Sequence, residues 1–501
     1  MSNEVDAVVV GGGMSGIAAT IALKRQGLGS IVVLEKSDGL GGVWYHNNYP
    51  GAACDVPSPL YSYSFAANPE WSQLFAGGSE IREYFRRVAR ERDVVRHVRF
   101  KTELIEARWN EATCRWICKS SGGQLSSRFL ILATGHLHQP SIPAVAGIES
   151  FKGQSFHSSE WPANFDPTDK DIAVVGTGAS AIQFVPEIQP RSRRLVVLQR
   201  TPAWIVPRPE VKHRAVSTRR ALLRQRVLRS VLWASFELVL VAMFHPQLVG
   251  VFERIARKHL HKQISDPALR EVLTPNYRFG CKRMLLSSDY YPAISSDNVD
   301  YVPSALAEVR DRSVVSADGR EFAVDTIIWG TGFHFADQPT HQRIRGRDGR
   351  TLAEQWAGSP RAYLSTTVVG FPNAFILQGP NTGTVSQIAA AEASIRYVSS
   401  AVEEMRRQGI EAVDVRRDVE ERWVQANDAK VAKSVWTTGG CTSFYFDSNG
   451  RNVGPWPGQL SAMMRRLSHF DVNDYVVLTP RRPDDAAVSA TASRSVNGRG
   501  S

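Results

Sequence analysis

Apolar positions along this 501-residue chain fall into short runs that recur in a fixed order. Val8-Val9-Val10 and Ile31-Val32-Val33-Leu34 are continuous aliphatic stretches, the pattern of strands buried on both faces of a parallel sheet. With the helix opened between them they make a compact βαβ unit over residues 5 to 35. The order returns later. Ile172-Ala173-Val174-Val175 leads into a helix through Ile182 to Ile188, then Leu195-Val196-Val197-Leu198, and further on Thr326-Ile327-Ile328-Trp329. Two copies of one α/β plan are therefore predicted. Period-two alternation around Leu104 to Cys118 and Gln124 to Leu132 predicts an antiparallel excursion closed by Gly122-Gly123, and residues 79 to 98 read as a basic amphipathic helix. From about Pro372 the chain rejoins the first copy, with Phe375-Ile376-Leu377 entering Gln378-Gly379-Pro380-Asn381 and a helix from Gln387 to Arg407 following.

The turns after the first strand of each copy carry the chemistry. Gly11-Gly12-Gly13-Met14-Ser15-Gly16 is G-x-G-x-x-G between a strand and a helix. Gly11 permits the tight turn, Gly13 lets the backbone approach a pyrophosphate at a helix N-terminus, and Gly16 lets helix and strand pack. Glu35, ending the second strand, can accept a ribose hydroxyl proton; otherwise it is an exposed strand end. The second copy has Gly176-Thr177-Gly178-Ala179-Ser180-Ala181, and its second strand runs into Gln199-Arg200-Thr201. Ala181 replaces the third Gly, and Arg200 replaces the acid. A guanidinium there can pair with a 2'-phosphate that a carboxylate would repel. Gly176, Gly178, Ser180, Arg200 and Thr201 are thus candidates for a phosphorylated dinucleotide, with a solvated strand-end Arg as the plain alternative.

Two further stretches are more specific. Gly41-Gly42-Val43-Trp44-Tyr45-His46-Asn47-Asn48-Tyr49-Pro50-Gly51-Ala52-Ala53-Cys54-Asp55 is too rich in Gly and aromatics for a regular element and reads as a working loop. Phe151 to Pro162 has the spacing F-x-G-x-x-x-H-x-x-x-W-P and reads as a hinge between the copies, its aromatics pinning domains and His157 packing. Both resemble the fingerprints of type I Baeyer-Villiger monooxygenases; ordinary flavin-containing monooxygenases usually lack the Trp-Pro ending. Phe279-Gly280-Cys281-Lys282-Arg283 is similar to a third, shorter segment of that family.

The resemblance covers roughly residues 5 to 470. It implies an α/β fold of two Rossmann-like dinucleotide-binding domains, for FAD and NADPH, with a helical insert in the NADPH domain. The implied divisions are 1-145 and 371-480 for FAD, 146-370 for NADPH with the insert at about 205-275, and a disordered tail at 481-501. By the same resemblance Gly42 would approach FAD, Trp44 and Tyr49 would pack around it, Asp55 would be the active-site carboxylate, Lys282 would bind the 2'-phosphate and Arg283 would be the catalytic cation. NADPH would reduce FAD, O2 would add at flavin C4a, and the peroxyflavin would convert a ketone to an ester or lactone. Oxidation of sulfur or nitrogen centres is the neighbouring alternative. A non-oxygenating flavoprotein is the other, although a disulfide reductase needs a redox Cys pair and Cys54 has no C-x-x-C partner.

Composition adjusts this picture at a few points. A formal charge of +11 admits nucleic acid, an acidic membrane surface or phosphate-bearing cofactors. No nucleic-acid motif is visible, which favours cofactors and leaves a surface as the second reading. Five Cys without paired spacing argue against a disulfide framework, and Cys114-x-x-x-Cys118 in a Trp-containing strand reads as packing, so no metal is expected. The start of the chain lacks the pattern of a secretory signal, making cytoplasm the default. The insert carries Arg219, Arg220, Arg224, Arg226 and Arg229, then an apolar part from Leu232 to Phe244 that contains Glu237. That part reads as too short and interrupted to cross a bilayer, so the insert is expected to wall the cavity and tune access; a basic amphipathic helix can also lie on anionic lipid, which leaves peripheral contact open. Trp436 to Gly440 and Trp456-Pro457-Gly458 suit either loops over a pocket or aromatic packing.

Overall fold

The computed structural model describes residues 3–211 and 218–480; the tail expected to be disordered lies outside them. The first copy comprises β1 (Glu4–Val10), α1 (Met14–Arg25), β2 (Ile31–Leu34), the one-turn α2 (Val43–His46), α3 (Gly78–Glu91), β3 (Val98–Arg99), β4 (Leu104–Asn110), β5 (Arg115–Ser120) and β6 (Gly123–Leu132). In the sheet β1 is flanked by parallel β2 and β6, with β3 beyond β2. Strands β4, β5 and β6 form the expected antiparallel excursion. The central strands are buried on both faces. Ala7, Val9, Phe129 and Ile131 join one core, and Val8, Val10, Leu130 and Leu132 the other. Cys118 and Cys114 are buried thiols packed with Trp116.

The second copy is built alike. It contains β7 (Gln154–His157), β8 (Asp171–Val175), α4 (Ala181–Ile188), β9 (Arg194–Leu198), β10 (Ile205–Val206), α5 (Arg219–Phe244), α6 (Gly250–Gln263), α7 (Pro267–Leu273), β11 (Leu285–Leu286), α8 (Tyr290–Ile294), β12 (Val299–Val302), an antiparallel trio β13 (Leu306–Arg310), β14 (Ser313–Ser316) and β15 (Glu321–Ala323), and β16 (Thr326–Trp329). Its main sheet runs β12-β9-β8-β16-β7, with every pair parallel. The correspondence is strand for strand: β8, β9, β12 and β16 stand where β1, β2, β3 and β6 stand.

Three expectations need revision. The hinge from Phe151 is more than a loop, because residues 154–157 form the edge strand β7 of the second sheet, with His157 beside Trp329. The chain also rejoins the first sheet before residue 371: β17 (Ile344–Arg345) pairs with β4, ahead of α9 (Leu352–Trp356), β18 (Ala374–Ile376) on β6, and α10 (Gln387–Gln408). Local periodicity carries little signal for a two-residue strand. Finally, α5 runs for 26 residues, well beyond the Leu232–Phe244 run, and by length and composition it is long and apolar enough to cross a membrane. The charges that interrupt it, Arg229 and Glu237, turn inward, where Arg229 donates to the carbonyls of Pro59 and Ser62 and Glu237 accepts from Ser461 N–H.

Candidate active site at the junction of the two copies

The first Gly-rich turn is a cradle of bare backbone. A methyl group on Gly16 would lie 1.9 Å from the carbonyl oxygen of Gly11, and one on Gly42 would lie 2.9 Å from Cα of Gly13. The turn and the loop after β2 therefore meet backbone to backbone, and the N-terminus of α1, at Gly13, has no side-chain cap. Glu35 is buried, and its two carboxylate oxygens accept from Gly12 N–H at 2.7 Å and Ser37 N–H at 2.8 Å. It thus braces the turn while keeping lone pairs free for a ribose. The returning chain closes the cradle, since Ser15 Oγ donates to Gln378 Oε1 at 3.1 Å in the Gln378-Gly379-Pro380 turn.

The second cradle lies at Gly176 and Gly178, and α4 begins after Ser180, whose side chain leaves its N-terminus uncapped. Arg200 and Thr201 follow β9. Lys282 stands close enough to Arg200 that this neighbouring charge adds to burial in pulling its ammonium below the usual lysine range. Among the described residues neither cation has an ion-pair partner, and Lys282 lies over the Tyr277 ring at 5.2 Å. Two unpaired cations facing one another is an arrangement that a doubly charged phosphate would relieve.

Between the cradles, Asp55 and Arg283 meet across 228 positions of sequence: Arg283 Nε donates to Asp55 Oδ2 at 2.9 Å, and Nη2 donates to the same oxygen. Asp55 is held by its own backbone, where Ala53 bridges to Gly77, Cys54 N–H donates to Ala76 and Gly78 N–H donates to Ala52. Arg283 is held on both sides. Leu285 and Leu286 pair with Ile205 and Val206 in a parallel ladder, and Arg278 N–H donates to Gly439. The Arg283 side chain stays 40% accessible, so its guanidinium can be reached from outside while Asp55 holds it. The Asp55 charge raises its pKa against the opposing effect of burial, so it is permanently cationic. His136 nearby is pushed down to about 4 by burial and by Arg283, and stays neutral.

The other expected residues divide. Trp44, two residues after Gly42, lies with its ring against Gly78 and donates from Nε1 to Tyr61 Oη at 3.0 Å. Tyr49 turns away from the first cradle and is buried in the second copy's core against Trp161 and Phe184. His157 is wholly buried beside Phe333, with Nδ1 facing Ser159 Oγ, as a packing residue should be. Trp436 and Trp456 are buried against Phe244 and Trp423, favouring packing for those loops.

Three features escaped the sequence reading. Gln183, on α4, brackets Ala53 by accepting from its N–H at 3.3 Å and donating to its C=O at 2.9 Å, while Tyr49 Oη donates to Gln183 Oε1 at 3.0 Å. A side-chain amide of the second copy thereby acts as a strand partner for the segment that carries Asp55. Tyr445 lies beside Arg283, its phenol raised by burial and moderated by the guanidinium. Cys281 and Cys441 form a disulfide across 160 residues, which corrects the expectation of no disulfide and ties the Lys282–Arg283 turn to the loop before Tyr445. Cys54, beside Asp55, is a free buried thiol held protonated by burial. None of these had a local signal, because each partner is more than a hundred positions away.

Residues 5–342 match the family model described as flavin-binding monooxygenase-like. A Baeyer-Villiger monooxygenase of Streptomyces coelicolor is 42% identical, the alignment covering 99% of this chain and 96% of that protein. One from Pseudomonas aeruginosa is 40% identical over 94% of this chain and 91% of its own. The crystal structure of OTEMO in complex with FAD and NADP superposes with a TM-score of 0.84 at 26% identity, covering 94% of this chain and 99% of that one. With its paired cradles and the Asp55–Arg283 contact between them, the chain belongs to the flavin-binding monooxygenases, in the Baeyer-Villiger branch.

Proposed function

We propose that this protein is an FAD- and NADPH-dependent monooxygenase that uses O2 to convert a ketone to an ester or lactone. The observation that carries the reading is Arg283, fixed by Asp55 where the two cradles meet. The residues present suit both cofactors. The first cradle offers bare backbone, an uncapped helix N-terminus and the Glu35 carboxylate; the second offers the Arg200–Lys282 pair, with Thr201 beside it, for a 2'-phosphate. FAD, when bound and reduced by NADPH, supplies the activation of O2.

The chain's own groups do the rest. Adding an anionic oxygen nucleophile to a carbonyl moves negative charge from the attacking oxygen to the former carbonyl oxygen as the C–O bond forms. Arg283 keeps a positive charge at every working pH and meets that charge without reorganising. Asp55 holds the guanidinium plane, and Gln183 and the Ala53–Gly77 bridge hold the strand beneath Asp55. His136 adds bulk without a second proton-bearing charge. The cytoplasm, which supplies NADPH, is the compartment this reading assigns.

Incubating the purified protein with NADPH, O2 and a panel of linear, cyclic, aromatic and steroid ketones, beside a thioether, tests the proposal. Esters or lactones as the main products support it. Sulfoxide alone would move the protein to heteroatom oxidation. The Cys281–Cys441 bridge also gives a disulfide-reductase reading its missing Cys pair, so NADPH-dependent thiol formation without oxygenated product would favour that reading instead.

A further inference from the structure

The outward face of α5 is uncharged over most of its length. Leu223, Val227, Val231 and Leu238 are 63, 57, 57 and 72% exposed, and their spacing puts them on one stripe. Ser230, Ala234 and Ser235 complete the stripe and are also exposed. Both hydroxyls are already satisfied within the helix, Ser230 Oγ donating to the Arg226 carbonyl and Ser235 Oγ to that of Val231. This lowers the cost of removing them from water. The two charges of the apolar half, Arg229 and Glu237, are bonded inward. At the N-terminal end Arg219, Arg220, Arg224 and Arg226 are exposed, and none is ion-paired among the described residues.

The pattern continues past the helix. Leu248 is half exposed, and on α6 Val251, Arg254, Ile255, Lys258 and Lys262 share one exposed face. Between Arg219 and Gln263 there are nine Arg and Lys against two Glu. Both Glu are engaged, Glu237 by Ser461 and Glu253 by Arg278. An apolar stripe on two helices whose free surface charges are all positive is complementary to one kind of surface.

We propose that this face of α5, with the outward face of α6, docks the enzyme on the surface of an anionic phospholipid bilayer. The Val and Leu side chains enter the headgroup–acyl boundary, and the Arg and Lys heads meet lipid phosphates, their stems lying along the apolar layer. The helix lies on the membrane rather than crossing it. Crossing would pull Arg229 off Pro59 and Ser62 and Glu237 off Ser461, leaving two charges in hydrocarbon. A second copy of the chain fits the face less well: a parallel pairing brings two Arg clusters together, and an antiparallel one sets each cluster against the partner's apolar half or the basic face of α6, where both Glu are already engaged. The inference is independent of which reaction the site performs.

Flotation of the FAD-loaded, full-length protein with vesicles tests it. The wild type should float with phosphatidylcholine–phosphatidylglycerol vesicles, remain behind with phosphatidylcholine alone, and be released by high salt. Val231→Glu with Leu238→Glu should stop flotation while FAD content and melting temperature hold. Changing Arg219, Arg220, Arg224 and Arg226 to Gln should weaken binding several-hundredfold, at about fivefold for each Arg near an anionic surface. Any of four results overturns the proposal: no flotation of the wild type with the mixed vesicles at low salt, equal flotation with phosphatidylcholine alone, retention that high salt does not reverse, or a lipid-free dimer that the Val231→Glu, Leu238→Glu variant dissolves.

Discussion

The two Gly-rich cradles solve one packing problem with a methyl group moved across the gap. In the first, helix α1 presents Gly16 and the strand end after β6 presents Ala133, while in the second α4 presents Ala181 and the strand end after β16 presents Gly330. A methyl on Gly16 would lie 1.9 Å from Gly11 O, but one on Gly330 would come no nearer than 3.4 Å to any neighbour, the nearest being Ala181 Cβ and two carbonyl oxygens. The first cradle is therefore tight against its helix and the second is looser. The polar contrast runs parallel. The first copy ends its second strand in a carboxylate, Glu35, and sends an anion, Asp55, to the junction; the second ends its own in a cation, Arg200, with Lys282 near it, and sends Arg283 to the junction. The copies share a scaffold and differ in charge, and that difference is the ground on which we propose FAD for the first and NADPH for the second.

The most severe way to break this comparison is to remove the second copy's contribution to the junction. Arg283→Ala should leave FAD bound and NADPH able to reduce it, while ester formation falls about 100- to 1000-fold or more and hydrogen peroxide appears in its place. Asp55→Ala should show a weaker form, because the cation stays but loses its orientation. Rapid-mixing spectra read beside product analysis separate the half-reactions, and normal ester yield from Arg283→Ala would remove that residue from the chemistry.

The methyl exchange comes next. Gly16→Ala forces a methyl into the Gly11 carbonyl and should cost about 3 kcal/mol or more, since overpacking against backbone has little room to relax. Loss of FAD on gel filtration and a lower melting temperature would register it. Gly330→Ala, which adds the methyl on the strand-end side as Ala133 does in the first copy, should cost less than about 1 kcal/mol, because a methyl there would stand at ordinary contact distance from its nearest neighbours. Equal losses in the two variants would mean that the cradles are equivalent and the contrast is only one of charge.

What the sequence made legible follows from range. The strand runs, both Gly turns, Glu35 and Arg200 are encoded within about thirty residues, so periodicity and spacing could locate them. Asp55 and Arg283 became legible only through resemblance to family motifs, because no local pattern says that residues 228 positions apart will touch. Gln183 is a polar residue on an ordinary helix, and its bracket around Ala53 exists only once the copies have docked. The Cys281–Cys441 bridge is hidden for the same reason. In α5 the Leu232–Phe244 run is legible, but the full 26-residue length of the helix is not, since a linear count cannot see that Arg229 and Glu237 point inward.

The charge contrast can be sharpened at the second cradle. Arg200→Ala should lower the preference for NADPH over NADH by about ten- to a hundredfold, the worth of one charge-assisted bond to the 2'-phosphate. Lys282, half-buried and facing Arg200, should show a loss of similar size, and the double variant should lose less than the sum because each cation currently repels the other. The ratio of kcat/KM for the two nucleotides is the measurement. An unchanged ratio in both single variants would free Arg200 and Lys282 from the phosphate.

The smallest expected effect decides what Tyr49 does. Its place in the family motif suggests an aromatic packed around the flavin, whereas its ring lies in the second copy's core and its hydroxyl donates to Gln183. These placements predict different losses from Tyr49→Phe, which keeps the ring and deletes one hydrogen bond. Gln183 Oε1 retains Ala53 N–H as a partner, so no buried acceptor is stranded and the cost should be about 0.5–1 kcal/mol. In a chain of this size that is a melting shift of about 1–2 °C. Because Gln183 holds the strand beneath Asp55, a slight loosening should pass to Arg283 and raise the peroxide released per NADPH by less than about twofold. FAD content should not change. A loss of coupling as large as that of Asp55→Ala would show that the hydroxyl acts on the reacting atoms, and a loss of flavin would return Tyr49 to the cofactor. A small, purely mechanical effect would identify it as the pin through which the second copy steadies the first.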